Sequence, residues 1–286
     1  MSKFRAKVLI GVGLVGTLLS VAACQSTSTV APAPSDYYAS ANKSSGFKAT
    51  DPDDIAPLRT QMAGQFIRER KLDDAYRQLE KAFDADKNFA PAYDMMGVLL
   101  QQEGSQANLQ KADGYFRRAI EIDPNFMQAH NNYGVYLAKM NRHADAMVQF
   151  ETAGSALGYE GRVGALENLG RTALVLNKEA EAGRAFLRAL DADPNSLIAH
   201  VELVDLLIKN GRITQAQKLY EETLILLGDV ALNDPRILLQ GIKLAHAVND
   251  TTIKTQLSQD LLANFPLSEE AKTLKGWMIN PEATWK

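Results

Sequence analysis

Small residues recur through the middle of this 286-residue chain at intervals of 34 to 37 residues. Each repeat of this interval contains an alanine, and most repeats have an aromatic residue four places after it. A glycine recurs in the segment before the alanine. The alanines are Ala75, Ala112, Ala146, Ala182 and Ala216, the aromatic residues are Phe116, Phe150, Phe186 and Tyr220, and the glycines are Gly97, Gly134 and Gly170. A period of this length predicts stacked copies of one two-helix unit, because a single unit cannot bury its apolar face alone.

The spacing within each step is typical of two antiparallel helices joined by a short turn. Gly and Ala let the helices approach closely, and the aromatic side chain fills the space between neighbouring units. Asp-Pro-Asn at 123–125 and at 193–195 separates units, because proline cannot continue a helix. The combination resembles the tetratricopeptide repeat. It implies an all-α, superhelical solenoid of about six helix-turn-helix repeats with a C-terminal capping helix.

The repeat pattern covers residues 55–286. Hairpins are predicted at 57–85, 91–122, 127–157, 163–192, 197–227 and 235–265. In the first hairpin the glycine is expected one place late, at Gly64, and in the fifth Val204 replaces it. An insertion of about three residues around Gly104 is expected to lengthen the turn of the second hairpin.

The last hairpin and the C-terminal end are predicted from capping residues. Residues 228–234 are expected to form a loop, and Asp234 is expected to cap a helix with Pro235 at its first position. A solitary final helix is expected to begin near Ser268, with Trp277 as its packing anchor. Such an end piece is needed, because the last hairpin otherwise exposes an apolar face.

The first 24 residues have the pattern of a bacterial export signal. A basic start precedes an apolar run at 8–19, which is too short for a membrane span. The motif Val21-Ala22-Ala23-Cys24 resembles a lipobox, which implies cleavage after Ala23 and attachment of diacylglycerol and an N-acyl chain to Cys24. Gln25 then implies sorting to the outer membrane. We therefore expect a signal peptide over 1–23, a lipid anchor facing the periplasm, and no other cofactor.

Residues 24–54 are expected to comprise the lipidated cysteine and a disordered tether. The segment is rich in Ser, Thr, Ala and Pro, so it has too few aliphatic residues for a core. A flexible chain of this length spans roughly 30 Å. The tether would let the folded part stand away from the membrane.

The charged and titratable residues give no sign of nucleic-acid binding or catalysis. Removal of the predicted signal changes the formal net charge from −3 to −6, and no basic stripe is visible. The histidines lie far apart in the chain, and His130 and His200 share one repeat position, which predicts a packing role. No metal or nucleotide motif is found in the repeats. We expect a protein that is not an enzyme and has no metal, nucleic-acid partner or small-molecule substrate.

The resemblance to tetratricopeptide repeats implies an inner surface, lined by the first helix of each hairpin, that binds a segment of a partner protein. The family's groove positions fall at Ile67, Arg68, Asp94, Val98, Gln101, Asn131, Val135, Ala138, Glu167, Arg171, Leu174, Val201, Asp205 and Ile208. Their mixture of aliphatic residues and isolated charges favours an apolar ligand segment. A carboxylate clamp is not expected, because Asn132 and Asn168 are present but the lysines of that set are not.

The lipobox, the tether and the repeats together resemble the type IV pilus biogenesis/stability lipoproteins, the pilotins of pilus secretins. The resemblance implies binding of secretin subunits and delivery of them to the outer membrane, where they multimerise for pilus assembly and twitching motility. The main alternative is a repeat-containing scaffold lipoprotein that coordinates peptidoglycan synthesis or cell division with the outer membrane. An enzyme would need convergent titratable groups, and an ion pair between Glu167 and Arg171 explains that pair more simply.

Overall fold

The computed structural model describes residues 54–280. The predicted signal, Cys24, nearly all of the tether and the tail after Asn280 lie outside the described residues. Within 54–280 the chain forms thirteen α-helices and one 3-10 helix, and no strand. In chain order the helices are α1 (Ile55–Arg68), α2 (Leu72–Ala85), α3 (Ala90–Glu103), α4 (Gln106–Ile122), α5 (Met127–Lys139), α6 (His143–Ser155), α7 (Arg162–Val175), α8 (Glu179–Ala192), α9 (Leu197–Lys209), α10 (Ile213–Leu227), the 3-10 helix (Gly228–Asn233), α11 (Pro235–Ala247), α12 (Thr251–Asn264) and α13 (Glu269–Ile279). The predicted all-α fold is confirmed. None of these helices is both long and apolar enough to cross a bilayer.

The described residues fall into two compact units, 54–192 and 193–280. The first unit contains four hairpins, in which α1 pairs with α2, α3 with α4, α5 with α6 and α7 with α8. The second helix of each hairpin packs against the first helix of the next one, and the first helices also pack side by side. The first helices α1, α3, α5 and α7 therefore form a continuous row, as the repeat pattern predicts.

A glycine facing an aromatic ring holds the two helices of a hairpin together. A Cβ atom on Gly97 would lie 2.8 Å from the ring of Phe116, closer than any real side chain permits. Phe116 is fully buried. The same relationship joins Gly134 to Phe150 and Gly170 to Phe186. Since burial of such a ring contributes about 3 to 5 kcal/mol relative to alanine, the repeated glycine is a stability requirement.

In the first hairpin the glycine is displaced by one place, as predicted. Ala63 occupies the regular glycine position, because it precedes Ala75 by 12 residues as Gly134 precedes Ala146, and Gly64 follows it. Gly64 faces the next hairpin, where its Cβ would lie 3.3 Å from Cε of Met95. The opposing residue in this hairpin is the aliphatic Leu79 rather than a ring, so a methyl group is tolerated.

The insertion in the second hairpin lengthens a helix and not the turn. Gly104 ends α3 with a φ of 80°, a left-handed conformation that glycine adopts without strain. Ser105 then caps α4, its Oγ accepting a hydrogen bond from the backbone N of Asn108 at 3.3 Å. As a result α4 has 17 residues, compared with 13 in α6.

The second unit contains two hairpins, α9 with α10 and α11 with α12, and the final helix α13. The predicted caps are confirmed: Asp234 accepts hydrogen bonds from the backbone N of Arg236 and Ile237, and Ser268 caps α13. The predicted loop at 228–234 is wrong, because residues 228–233 form the 3-10 helix. Leu274 and Ala271 are buried in α13, and the predicted anchor Trp277 is half-buried, packs against the core of this unit and lies beneath Nζ of Lys243.

Candidate functional site

The predicted groove residues all lie on first helices, in α1, α3, α5 and α7 of the first unit and in α9 of the second. Arg68 is exposed. The half-buried members are Gln101, Val135, Ala138, Arg171, Leu174 and Asp205. The buried members are Ile67, Asp94, Val98, Asn131, Glu167, Val201 and Ile208. The half-buried residues therefore offer more side-chain surface to a ligand than the buried ones, which mainly fix the helices.

Asp94 belongs to a buried polar network rather than to an open groove. Its Oδ2 accepts a hydrogen bond from Nδ2 of Asn132 at 2.8 Å. Nε2 of Gln128 donates to Oδ1 of Asn132 at 2.9 Å, and the hydroxyl of Tyr159 donates to Oε1 of Gln128 at 2.8 Å. The network joins α3, α5 and the turn before α7. Because buried polar groups in such a network satisfy each other, it fixes how neighbouring hairpins align.

The two asparagines that a carboxylate clamp would use are occupied internally. Asn132 bonds to Asp94, and Nδ2 of Asn168 donates to Oδ1 of Asn131 at 3.3 Å. Amide groups held in this way present fewer free donors to a ligand. This arrangement agrees with the prediction that a carboxylate clamp is incomplete.

A strip of side chains follows the glycines along the row of first helices. Val98, Val135 and Arg171 come directly after Gly97, Gly134 and Gly170, and so occupy one position of three successive helices. The strip changes from apolar in α3 and α5 to cationic in α7. Val135 is the more accessible of the two valines. In α3 and α5 this strip is suited to an apolar segment.

In the second unit the predicted groove residue Asp205 is held in an ion cluster. Nη2 of Arg236 lies 2.8 Å from Oδ2 of Asp205 and 2.8 Å from Oε2 of Glu202. Burial disfavours the charged guanidinium, but the hydrogen bonds to Glu202 and the charge of Asp205 outweigh it and raise the pKa of Arg236 above its ordinary value. The cluster ties α9 to α11. Asp205 therefore serves the packing of this unit.

The histidines at the shared repeat position pack as predicted. Nε2 of His130 lies 3.0 Å from the carbonyl oxygen of Pro124, and Nε2 of His200 lies 3.0 Å from that of Pro194. Both rings are buried. Each ring thus attaches a first helix to the Asp-Pro-Asn turn before it. Over residues 54–280 no group of His, Cys, Asp and Glu side chains could hold a metal ion.

Sequence reasoning missed a cavity of about 190 Å³ on the side of the second helices. Its apolar lining is Met147, Leu169 and Ala185, and its charged lining is Glu151, Glu181, Arg184 and Arg188. Arg188 donates two hydrogen bonds of 2.9 Å to Glu151. No repeat-position rule marks this cavity, because its lining comes from three helices.

Comparison with known proteins gives one family match and two similar pilus proteins. A family profile of the tetratricopeptide repeat matches residues 115–148. The type IV pilus assembly protein PilF of Pseudomonas aeruginosa is 27% identical over 218 residues, which cover 76% of this chain and 84% of PilF. A solved structure of Pseudomonas aeruginosa PilF has a TM-score of 0.69 at 26% identity, covering 79% of this chain and 98% of its own.

The crystal structure of PilW, described as a widely conserved type IV pilus biogenesis factor, has a TM-score of 0.62 at 26% identity. It covers 77% of this chain and 98% of its own. Both pilus structures therefore match this chain over nearly their full length. The helical hairpins and these likenesses show a tetratricopeptide-repeat fold, and the chain is similar over most of its length to two type IV pilus proteins.

Proposed function

We propose that this protein is a type IV pilus biogenesis factor that binds secretin subunits and promotes their multimerisation in the outer membrane. The observation that carries the proposal is the likeness to PilF and PilW over more than three quarters of the chain. Tetratricopeptide proteins are generally interaction modules without enzymatic activity. The mechanism proposed here is accordingly one of binding and delivery, without a chemical step.

The proposed secretin contact is the strip on the first helices of the first unit. Half-buried Val135 and Ala138, one turn apart, supply its apolar surface, and Val98 is the buried equivalent of Val135 in the preceding hairpin. The polar network from Asp94 to Tyr159 links α3, α5 and the turn before α7, so the alignment of the helices that carry the strip is set before a ligand arrives. A preformed surface loses less conformational entropy on binding.

The proposed route to the membrane is the lipid anchor on Cys24, which lies outside the described residues. Diacylglycerol and an N-acyl chain together hold a protein far more firmly than one chain does. The tether would give the repeats reach, so that a bound secretin subunit is carried to the outer membrane from the periplasmic side. No other cofactor, nucleic acid or small-molecule substrate is part of the proposal.

The primary test compares heat-resistant secretin multimers in wild type, a deletion strain and a Cys24→Ala strain. We expect multimers to be lost in the deletion and to be depleted or mislocalised in the cysteine variant, with loss of surface pili and twitching. Normal outer-membrane multimers in all three strains would reject the proposal. Cell-shape or separation defects with intact pili would instead favour the cell-wall scaffold.

The contact surface is tested with Val135→Glu, because this side chain is only half-buried and the fold should accept the change. The matched control is Val148→Glu on α6, a second helix, where the valine is largely exposed. We expect Val135→Glu to weaken binding of the purified secretin periplasmic region by about tenfold or more, since it places an unpaired charge in an apolar contact. Equal secretin affinity of the two variants would show that the strip is not the secretin contact.

A further inference from the structure

The end of α10 and the following 3-10 helix carry an apolar surface that the repeat does not require. Ile225, Leu226 and Val230 are 61%, 40% and 58% exposed. Single exposed apolar residues are normal on a soluble protein, but three large ones within six residues form a contiguous sequence cluster. We call these three residues the α10 patch.

The core of the second unit does not explain the α10 patch. Leu224, Leu227 and Leu232 alternate with the patch residues and pack against that core. The segment is thus apolar both inward and outward, whereas a surface helix is normally polar on its outer side. In the corresponding place after α4, the chain has the polar turn Asp123-Pro124-Asn125. After α6 the exposed large apolar residue is Leu157 alone, whereas this hairpin has a cluster of three.

Two carboxylates border the patch. Glu221 and Glu222 precede Ile225 and Leu226 by one helical turn, and residues four apart share a helix face. Glu222 has only a loose, exposed ion pair with Lys218, at 3.8 Å. Glu221 forms no ion pair with any residue in 54–280. Lys218 offsets part of the charge of Glu222, and with Glu221 the edge of the patch keeps a net negative charge.

We propose that the α10 patch binds a segment of a partner protein that is apolar and has lysine or arginine beside its apolar residues. The apolar side chains would cover Ile225, Leu226 and Val230, and the cations would pair with Glu221 and Glu222. The negative charge of the edge decides which kind of molecule can bind the α10 patch. A bilayer rich in anionic lipid, or a second copy of this chain, would bring negative charge to a negative edge.

This site lies on a second helix of the second unit and does not depend on the pilus function or on the strip in the first unit. It adds a place where a basic, amphipathic segment is recognised. The same surface would discriminate against acidic segments of equal hydrophobicity. That discrimination is the property to measure.

The test uses the chain from residue 24 with Cys24→Ser, which retains all the described residues and needs no detergent. The probes are two fluorescein-labelled helical peptides with leucines on one face, one with lysines and one with glutamates elsewhere. Fluorescence anisotropy gives the dissociation constants. The variants are Ile225→Ser with Val230→Ser, and Glu221→Lys with Glu222→Lys. The matched control is Val148→Ser, where the valine is 61% exposed, as Ile225 is.

We expect the lysine peptide to bind the unmodified surface more tightly than the glutamate peptide. Each double variant should weaken binding of the lysine peptide by about tenfold, and the control should not. Circular dichroism establishes that every variant keeps its helical content. These results together would establish both the apolar and the electrostatic part of the site.

Three outcomes would overturn the proposal. One is equal binding of the lysine peptide by the patch variants and the control, or no binding at all. A second is patch-dependent binding to vesicles of phosphatidylethanolamine and phosphatidylglycerol in place of the peptide, which would make this a membrane contact. The third is patch-dependent dimerisation in analytical ultracentrifugation, which would make it a contact between copies.

Discussion

The ring of Phe150 lies so close to the backbone of Gly134 that a Cβ atom on this glycine would be 2.6 Å from Cε1 of the ring. Gly134→Ala should therefore destabilise the protein by about 1 to 3 kcal/mol, because the buried ring has to move. The measurement is urea denaturation followed by circular dichroism. The control is Gly114→Ala in α4, where a Cβ meets no atom within 4 Å and should stabilise by about 0.5 to 1 kcal/mol. Equal midpoints for the two variants would contradict the close contact.

Arg70 should be replaceable with a gain in stability. It occupies the middle of the turn between α1 and α2 with a φ of 59°, where the equivalent turns use Asn141, Asn177 and Gly211. Arg70→Gly should stabilise the protein by up to about 1 kcal/mol, because a side chain in the left-handed region is strained. Thermal denaturation measures this. Asn141→Ala is the converse change and should lower the melting temperature of the protein. A lower melting temperature for Arg70→Gly would contradict the prediction, because it would show that backbone strain at Arg70 does not limit stability.

Arg236→Ala should destabilise the second unit by about 1 to 3 kcal/mol, because the largely buried Glu202 then loses its ion pair with the guanidinium. This estimate is below that for a fully buried pair, since the Arg236 side chain is 37% exposed and partly screened by water. Hydrogen exchange over 193–280 reports the change. The control is Lys178→Ala, which removes an exposed pair with Glu181 and should cost less than about 1 kcal/mol. The prediction fails if the two substitutions cost the same.

The pair of Glu151 and Arg188 should make the first unit sensitive to acid. Burial opposes ionisation of Glu151, but the hydrogen bonds from Arg188 and Ser155 prevail and hold the pKa of Glu151 below its ordinary 4.5. A depressed folded-state pKa contributes stability above pH 4.5, and this contribution is lost as the pH falls through the folded-state value. In Arg188→Gln the free energy of unfolding should depend less on pH below pH 4.5. An unchanged profile in urea denaturation would show that the pair contributes no pH dependence.

The parts of the fold that depend on local chemistry could be predicted from the sequence. Ala112, Ala146 and Ala182 recur at positions where small side chains let helices pack closely. Asp234 and Ser268 are helix caps whose hydrogen-bond partners lie within three residues. The position of the insertion could not be predicted in the same way. Ser105 caps α4 about one turn earlier than the second helices of the other hairpins begin. The sequence alone does not say whether the inserted residues lengthen the helix or the turn.

The candidate groove was predictable by position but not by exposure. Repeat spacing places Asp94 and Asp205 on first helices, as observed. Their partners, however, lie 38 residues away at Asn132 and 31 residues away at Arg236. Pairing over such distances depends on how the hairpins stack, which no local pattern encodes. The lipid anchor and the tether remain predictions.

The bonds from His130 to Pro124 and from His200 to Pro194 each close a loop of only six residues. Closing so short a loop has a small entropic cost, so these contacts can form before any hairpin has docked on another. Residues 124–130 and 194–200 can then act as separate nucleation sites, from which helical structure spreads in both directions. A chain of this kind needs no single, obligatory first event in its folding.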